Sequence, residues 1–307
     1  MKKSVIIIGA GTMGRSIAEL FLQSNVNVLL FDKDNNALHK AKKLIEKQLV
    51  FLENKGFLSK SPKYYLSNIE ITNHFPEETS TRLVIEAIPE KLNLKQELFM
   101  KLEEVCGDET IFATNTSGHS ITEIASKLNH PERLIGTHFF TPAAIIPLVE
   151  VIKGKKTSEA TVTVVMEMLT DIGKKPVLLH KEVPGFIGNR IQHAISREAI
   201  SLLESGVATA EDIDTVVKWS IGLRMVLTGP IEQRDINGLD VHYDIASYLY
   251  KDLNNELTPS SLLKEKVEKG ETGLKVNKGF YNWENVHQES YLNDKDNKLI
   301  DLVHWLK

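Results

Sequence analysis

Four consecutive β-branched residues, Val5-Ile6-Ile7-Ile8, run straight into Gly9-Ala10-Gly11-Thr12-Met13-Gly14, and a second apolar run over residues 26–31 ends in Asp32. Between them Ile17, Leu20 and Phe21 recur at helical spacing. An apolar strand, a glycine-spaced turn, an amphipathic helix, a second strand and an acid, in that order, predict a βαβ dinucleotide-binding unit. Gly9 permits the tight turn, Gly11 lets the backbone approach a pyrophosphate, and Gly14 lets the helix lie close on the sheet. Thr12 and Met13 complete the turn at the helix start, whose free N–H groups and dipole favour phosphate. Asp32 is placed to accept hydrogen bonds from both ribose hydroxyls and to repel a 2′-phosphate, so the expected cofactor is NAD rather than NADP. Glycines also mark ordinary turns, so a nucleotide-free βαβ unit is the plain alternative.

With 307 residues the chain is long enough for a large core and two domains. A net charge of −4 without a long basic run argues against a nucleic-acid surface. No apolar stretch approaches the length of a membrane span. Met1-Lys2-Lys3 precedes an apolar run, but Gly9 and Gly11 cut that run short, which marks a strand and not a signal peptide. Cys106 is the single cysteine, so no intramolecular disulfide forms, and a reducing, cytoplasmic setting fits. No histidine spacing matches a metal site, and no metal is expected.

Through about residue 180, short β-rich runs alternate with helical patterns. Strands are predicted near residues 83–88, 111–114, 134–138, 148–152 and 177–179, and an exposed, lysine-rich helix over 35–55 stopped by Gly56. This is the signature of an α/β, Rossmann-type, doubly wound and mostly parallel sheet. After Pro184-Gly185 the apolar residues (Ile187, Ile191, Ala194, Ile195, Ile200, Leu203) keep a helical period, and Thr209 with Asp212 three residues later forms a capping box. The expected division is therefore 1–184, a cofactor-binding domain, and 185–307, an all-α C-terminal domain for substrate and dimer contacts.

A hydride-transfer site needs a group to take the alcohol proton, and neutral histidine suits that role near pH 7. His138 stands at the end of a predicted strand, where strand ends meet the cofactor crevice. Glu150 is a charge inside the apolar run Pro147-Leu148-Val149-Glu150-Val151-Ile152, and a buried charge requires a partner. A His138–Glu150 pair would fix the imidazole tautomer and stabilise the imidazolium. Asn115-Thr116-Ser117 after a strand reads equally as turn chemistry or a helix cap.

The chain closely resembles the 3-hydroxyacyl-CoA dehydrogenase family, over nearly its whole length. The landmarks are the glycine run, Ile85-Glu86-Ala87-Ile88-Pro89-Glu90, Thr114-Asn115-Thr116-Ser117, His138-Phe139-Phe140, Pro147 to Val151, Pro184-Gly185-Phe186-Ile187-Gly188-Asn189-Arg190 and Gly279-Phe280-Tyr281. The resemblance implies His138 as general base and Glu150 as its orienting partner, with Ser117 and Asn189 around the substrate oxygen. It also implies cofactor contacts at Glu90, Lys95, Asn115 and Lys275, although an acid and a base five residues apart on a helix are usually surface charges. It implies further a cytoplasmic homodimer, joined through the helical domain, that interconverts a short (S)-3-hydroxyacyl-CoA and its 3-keto form in fatty acid metabolism.

Three departures bear on the substrate. Thr141 stands where the family commonly has asparagine, Gly118-His119 replaces a serine and an apolar residue, and residues 223–240 differ from the usual Met-Gly-Pro version. Lys55, Lys60 and Lys63 lie where the CoA tail of the family runs and are candidates for its phosphates. The alternatives are a dehydrogenase of a small polar hydroxy acid such as L-gulonate or L-carnitine, or a non-catalytic, crystallin-like NAD-binding protein.

Overall fold

The structure is a computed structural model and describes residues 4–76 and 81–306. The Met1-Lys2-Lys3 lead lies outside the described residues. The chain divides into two compact units: the first runs to Asn189 and takes up the chain again from Lys298, and the second is Arg190–Asn297.

An eight-stranded sheet forms the first unit: β1 Ser4–Ile8, β2 Asn27–Phe31, β3 Ile69–Thr72, β4 Leu83–Glu86, β5 Ile111–Thr114, β6 Leu134–Phe139, β7 Leu148–Ile152 and β8 Lys175–Leu179. Their order is β3-β2-β1-β4-β5-β6-β7-β8, parallel throughout except for the antiparallel pair β6–β7. The chain leaves β1 in one direction to β2 and β3, then returns to β4 on the other side. That reversal opens a crevice beyond the carboxyl ends of β1 and β4.

Alternation along the strands divides the core between the two faces of the sheet. Val5 and Ile7 pack with residues of α1 (Thr12–Gln23), α2 (Asn35–Asn54) and, farther along, α4 (Glu159–Asp171). Ile6 and Ile8 pack with Phe99 and Leu102 of α3 (Leu92–Val105). Helix α2 starts where Asp34 accepts a hydrogen bond from the Asn36 amide and ends before Gly56, at φ +74°. Strand β3 is absent from the sequence expectation: its four residues, Ile-Glu-Ile-Thr, are half-exposed at the sheet edge and too few for a clear alternation. Cys106 is buried, and burial pushes its thiol up to about 11, against the opposing pull of Arg133, so it is inert at neutral pH.

The second unit is helical: α5 (Gly188–Glu204, entering from the first unit), α6 (Ala210–Val216), α7 (Pro230–Asn237), α8 (Leu239–Leu249) and α9 (Ser261–Glu268). The expected N-cap is present, with the Asp212 amide donating to Thr209 Oγ1 at 3.2 Å, while the Asp212 carboxylate accepts from the Thr209 hydroxyl at 2.8 Å. Helix α10 (Gln288–Trp305) begins in this unit and ends in the first. The first unit thus runs on to the start of α5 and also takes in the end of α10. Glu150 of β7 accepts from the amides of Ile187 and Gly188, which ties the start of α5 to the sheet. At the other end, Asp301 of α10 pairs with Lys55 at 3.7 Å. Among the described residues, no helix is long and apolar enough to cross a membrane.

Candidate active site

The glycine turn sits at the topological reversal, and its three glycines have separate reasons. Gly9 has φ +106°, and a Cβ there would lie 2.6 Å from the Ala87 carbonyl oxygen. A Cβ on Gly14 would lie 1.8 Å from the Gly9 carbonyl oxygen. Gly11 is different: its backbone is extended at φ −66°, and a Cβ would meet nothing within 4 Å. The fold does not require a glycine there, whereas a ligand lying against the backbone would. The same residue begins α1 without a side-chain cap, which leaves the first amides of the helix to an external acceptor. These features fit a dinucleotide pyrophosphate.

Asp32, at the end of β2, closes the turn. Its Oδ2 accepts from the Ala10 amide at 2.8 Å and its Oδ1 from the Asp34 amide at 2.9 Å. A carboxylate has about four acceptor positions, so these bonds orient it and leave capacity for ribose hydroxyls. Across the turn, the Thr141 hydroxyl donates to Met13 Sδ at 3.1 Å, so the residue in place of the family's asparagine contacts the glycine run itself.

Glu90 and Lys95 are not a pair of surface charges on one helix. Glu90 precedes α3, and Lys95 is wholly buried, its Nζ 2.7 Å from Glu86 Oε1 and 3.1 Å from Glu90 Oε2. With no exposed surface, the Lys95 ammonium is held between the Glu86 and Glu90 carboxylates. Glu86, itself wholly buried, also accepts from the Thr114 hydroxyl at 2.6 Å and the Ile88 amide at 2.8 Å. Glu90 accepts from the Thr116 hydroxyl and, at 2.9 Å, from the Ser117 amide. Burial acts to raise the Glu90 carboxyl, but the bonds from Thr116, Lys95 and Ser117 together hold it below the usual carboxylate range. The network thus joins the ends of β4 and β5 and sets the Ser117 turn.

Glu86, Thr114 and Thr116 were family landmarks without an assigned role. A charge inside the apolar run 83–88 is the same signal that singled out Glu150, and it identifies Glu86 too. Asn115 turns inward: its Oδ1 accepts from the Phe139 amide at 3.0 Å and holds the end of β5 to β6.

His138 and Glu150 face each other in register across β6 and β7. The distance from Nδ1 to Glu150 Oε2 is 2.7 Å, and both side chains are buried. The other oxygen, Oε1, accepts from the amides of Ile187 at 2.8 Å and Gly188 at 2.9 Å. Burial acts to raise the Glu150 carboxyl, but the bonds from His138, Gly188 and Ile187 outweigh it and hold the group below its usual range. An ionised carboxylate only accepts, so Nδ1 carries the proton and Nε2 keeps its lone pair. Rings of Phe140 and Phe186 flank the imidazole at 4.7 and 5.6 Å between centroids. The Asn189 side-chain amide donates to the Ser117 carbonyl at 3.1 Å, so these two expected site residues stand together. Lys275 belongs to the second unit, on the exposed turn Leu274–Val276. Of the three lysines near the end of α2, Lys55 pairs with Asp301, Lys60 lies 3.7 Å from the Tyr64 ring centroid, and Lys63 is exposed.

A dinucleotide cradle at a sheet reversal and a buried histidine held by a carboxylate define a nicotinamide-dependent dehydrogenase. Residues 4–183 match the model of the 3-hydroxyacyl-CoA dehydrogenase NAD binding domain, and residues 185–283 that of the 3-hydroxyacyl-CoA dehydrogenase C-terminal domain. The chain belongs to the 3-hydroxyacyl-CoA dehydrogenase family; it is an oxidoreductase, and its cofactor is NAD. It is 38% identical over 279 residues to a 3-hydroxybutyryl-CoA dehydrogenase of Clostridioides difficile, covering 90% of this chain and 98% of that one. It is 32% identical over 301 residues to a 5-formyl-3-hydroxy-2-methylpyridine 4-carboxylate 5-dehydrogenase of Mesorhizobium japonicum, covering 98% and 97%. A crystal structure of a 5-dehydrogenase of that acid, described as an NAD+-dependent dismutase, superposes with a TM-score of 0.92 at 31% identity over 100% of this chain and 99% of that one. The (S)-3-hydroxybutyryl-CoA dehydrogenase of Ralstonia eutropha gives 0.77 at 32% identity over 93% and 100%.

Proposed function

We propose that this protein is an NAD-dependent dehydrogenase of a small carboxylate-bearing alcohol, with His138 as the base. The observation that carries the substrate class is the end of α10. Asp301 pairs with Lys55, and the His304 ring lies 5.2 Å from the Phe57 ring, at the turn where the family resemblance places a CoA tail. The C-terminal family match ends at residue 283, before this helix. The two structural likenesses agree: at nearly equal identity, the pyridine carboxylate enzyme superposes better than the CoA enzyme, 0.92 against 0.77.

In this reading NAD, held by the Gly9–Gly14 turn and Asp32, would supply the hydride acceptor. His138 Nε2 takes the hydroxyl proton, and Glu150 holds the opposite ring nitrogen and balances the imidazolium. Ser117, placed by Glu90 and Asn189, is the hydrogen-bond donor to the developing alkoxide. Lys95 and Glu86 keep the Ser117 turn rigid through Glu90. The helical unit supplies the dimer contact: none of α6 to α9 has a buried residue, and Trp219 and Ile231 are 75% and 77% exposed.

The higher identity to the Clostridioides difficile enzyme favours a second reading, a short-chain 3-hydroxyacyl-CoA substrate. A substrate panel separates the two. L-Gulonate, L-carnitine and the reduced form of 5-formyl-3-hydroxy-2-methylpyridine 4-carboxylate are offered with NAD, and acetoacetyl-CoA and free acetoacetate with NADH. Turnover of a small acid with kcat/KM at least roughly tenfold above that of acetoacetyl-CoA is expected. Efficient reduction of acetoacetyl-CoA, without turnover of any small acid, overturns the proposal in favour of the thioester.

A further inference from the structure

Residues 223–240, where the sequence departs from the family's usual version, form the end of one helical turn and then α7. Pro230 occupies the first turn of α7, where its missing N–H costs nothing. Gly238 ends that helix at φ +94° and leads directly into α8; a Cβ there would lie 2.8 Å from Asp240 Oδ1. The sharp turn sets Arg234, in the last turn of α7, over His242, in the first turn of α8. The guanidinium Nη1 stands 3.4 Å from His242 Nδ1. Two helical turns farther on, the Tyr250 hydroxyl stands 3.3 Å from His242 Nε2, with the rings edge to face at 6.3 Å.

The proton positions follow from the donors. A guanidinium only donates, so His242 Nδ1 accepts and its ring proton sits on Nε2, donating to the Tyr250 oxygen. The phenol proton is then free to donate outward. The donors left over are the remaining N–H groups of the half-buried Arg234 guanidinium and, on the far side of the imidazole, the Tyr250 hydroxyl. Glu232, Asp235, Asp240 and Asp244 lie on the same two helices, yet among the described residues Arg234 makes no ion pair and no other hydrogen bond. A planar, preorganised fork of N–H groups that lacks an internal anion matches a carboxylate in two-point contact.

We propose that Arg234, braced by His242, whose other ring nitrogen is held by Tyr250, is a binding site for a small carboxylate. This rests on the small-acid reading above, in that the ligand is the group such a substrate carries. The probes are isonicotinate and isonicotinamide, which match in shape and differ in charge, titrated calorimetrically into the full-length, NADH-loaded protein. Isonicotinate is expected to bind at least roughly tenfold more tightly than the amide. Arg234→Gln removes that preference, Arg234→Lys restores it in part, and Tyr250→Phe weakens it; the Kd for NADH and the Tm are unchanged in each.

Equal isonicotinate affinity in wild type and Arg234→Gln overturns the proposal. So does the absence of any preference for the acid in wild type. A rise in the dimer dissociation constant of Arg234→Gln with isonicotinate binding intact overturns it as well, because the anion is then a carboxylate of the partner copy. The substrate panel fails independently: small acids turned over without Arg234-dependent binding remove this site alone, whereas Arg234-dependent binding in an enzyme that turns over only acetoacetyl-CoA removes the substrate class alone.

Discussion

Alanine at the three glycines of the cofactor turn should separate folding from cofactor binding. At Gly14 the new methyl would sit 1.8 Å from a carbonyl oxygen of the same turn, more than an ångström inside contact distance. Relief requires α1 to move off β1, and overpacking of this severity costs about 3 kcal/mol or more. At Gly9 the clash, 2.6 Å from the Ala87 oxygen, is milder, but the backbone stands at φ +106°, which adds about 1–2 kcal/mol of strain. Gly11→Ala meets nothing within 4 Å and has an ordinary φ. The loss of a glycine N-cap and the gain from a stiffer unfolded chain offset each other to within about 0.5 kcal/mol. Its methyl instead projects into the space over the uncapped helix start, and NADH affinity should fall by about 10–100-fold. Urea unfolding gives the stabilities, and fluorescence titration of NADH the affinities. If Gly11→Ala binds NADH as wild type does, the pyrophosphate does not lie against that backbone and the cradle is misassigned.

Glu150→Gln should lower kcat by about 10²–10⁴ while the Kd for NADH holds, because an amide that keeps the Ile187 and Gly188 bonds turns its NH2 toward His138 Nδ1 and moves the ring proton to Nε2; steady-state kinetics check this, and a loss under threefold contradicts it. Glu19 lies buried in α1 beside Arg15 at 2.6 Å, and burial lifts its carboxyl from 4.5 to about 7 against the lowering pull of Arg15. A raised carboxyl binds more protons folded than unfolded, so its contribution is full below the unfolded value and declines as pH rises through about 7. Glu19→Gln should therefore flatten the stability profile between pH 5 and 8 and stabilise the protein by about 1–3 kcal/mol at pH 8, read from urea midpoints; an unchanged slope contradicts it. Light scattering should give a dimer for the wild type, and Trp219→Glu with Ile231→Glu should shift it toward monomer; a wild-type monomer at micromolar concentration refutes the helical-unit interface.

The parts of the site that the sequence made legible are those where a residue violates its surroundings. Glu150 in an apolar strand demanded a partner, and β6 and β7 place His138 opposite it in register. Gly9, Gly14 and Asp32 made the turn legible because each has a steric or acceptor role of its own. Glu86 carried the same signal and went unread, since its partner Lys95 looked like half of a surface pair and only the fold brings β4, α3 and the Thr114–Ser117 turn together. Strand β3 was too short for its alternation to register. The return of α10 to the first unit was illegible for another reason: helical periodicity tells that a face is apolar without telling which surface covers it, so the pairing of Asp301 with Lys55, which bears most on the substrate, came only from the structure.

The most direct test of the catalytic reading is His138→Gln, assayed with the best substrate of the panel in the direction of alcohol oxidation, with NADH binding measured on the same preparation. Removal of the base with the cradle intact should lower kcat by about 10²–10⁴ and leave the Kd for NADH within about twofold, because Gly11, Asp32 and the start of α1 do not depend on the imidazole. A folded His138→Gln enzyme that retains near-wild-type turnover would contradict the assignment of His138 Nε2 as the proton acceptor.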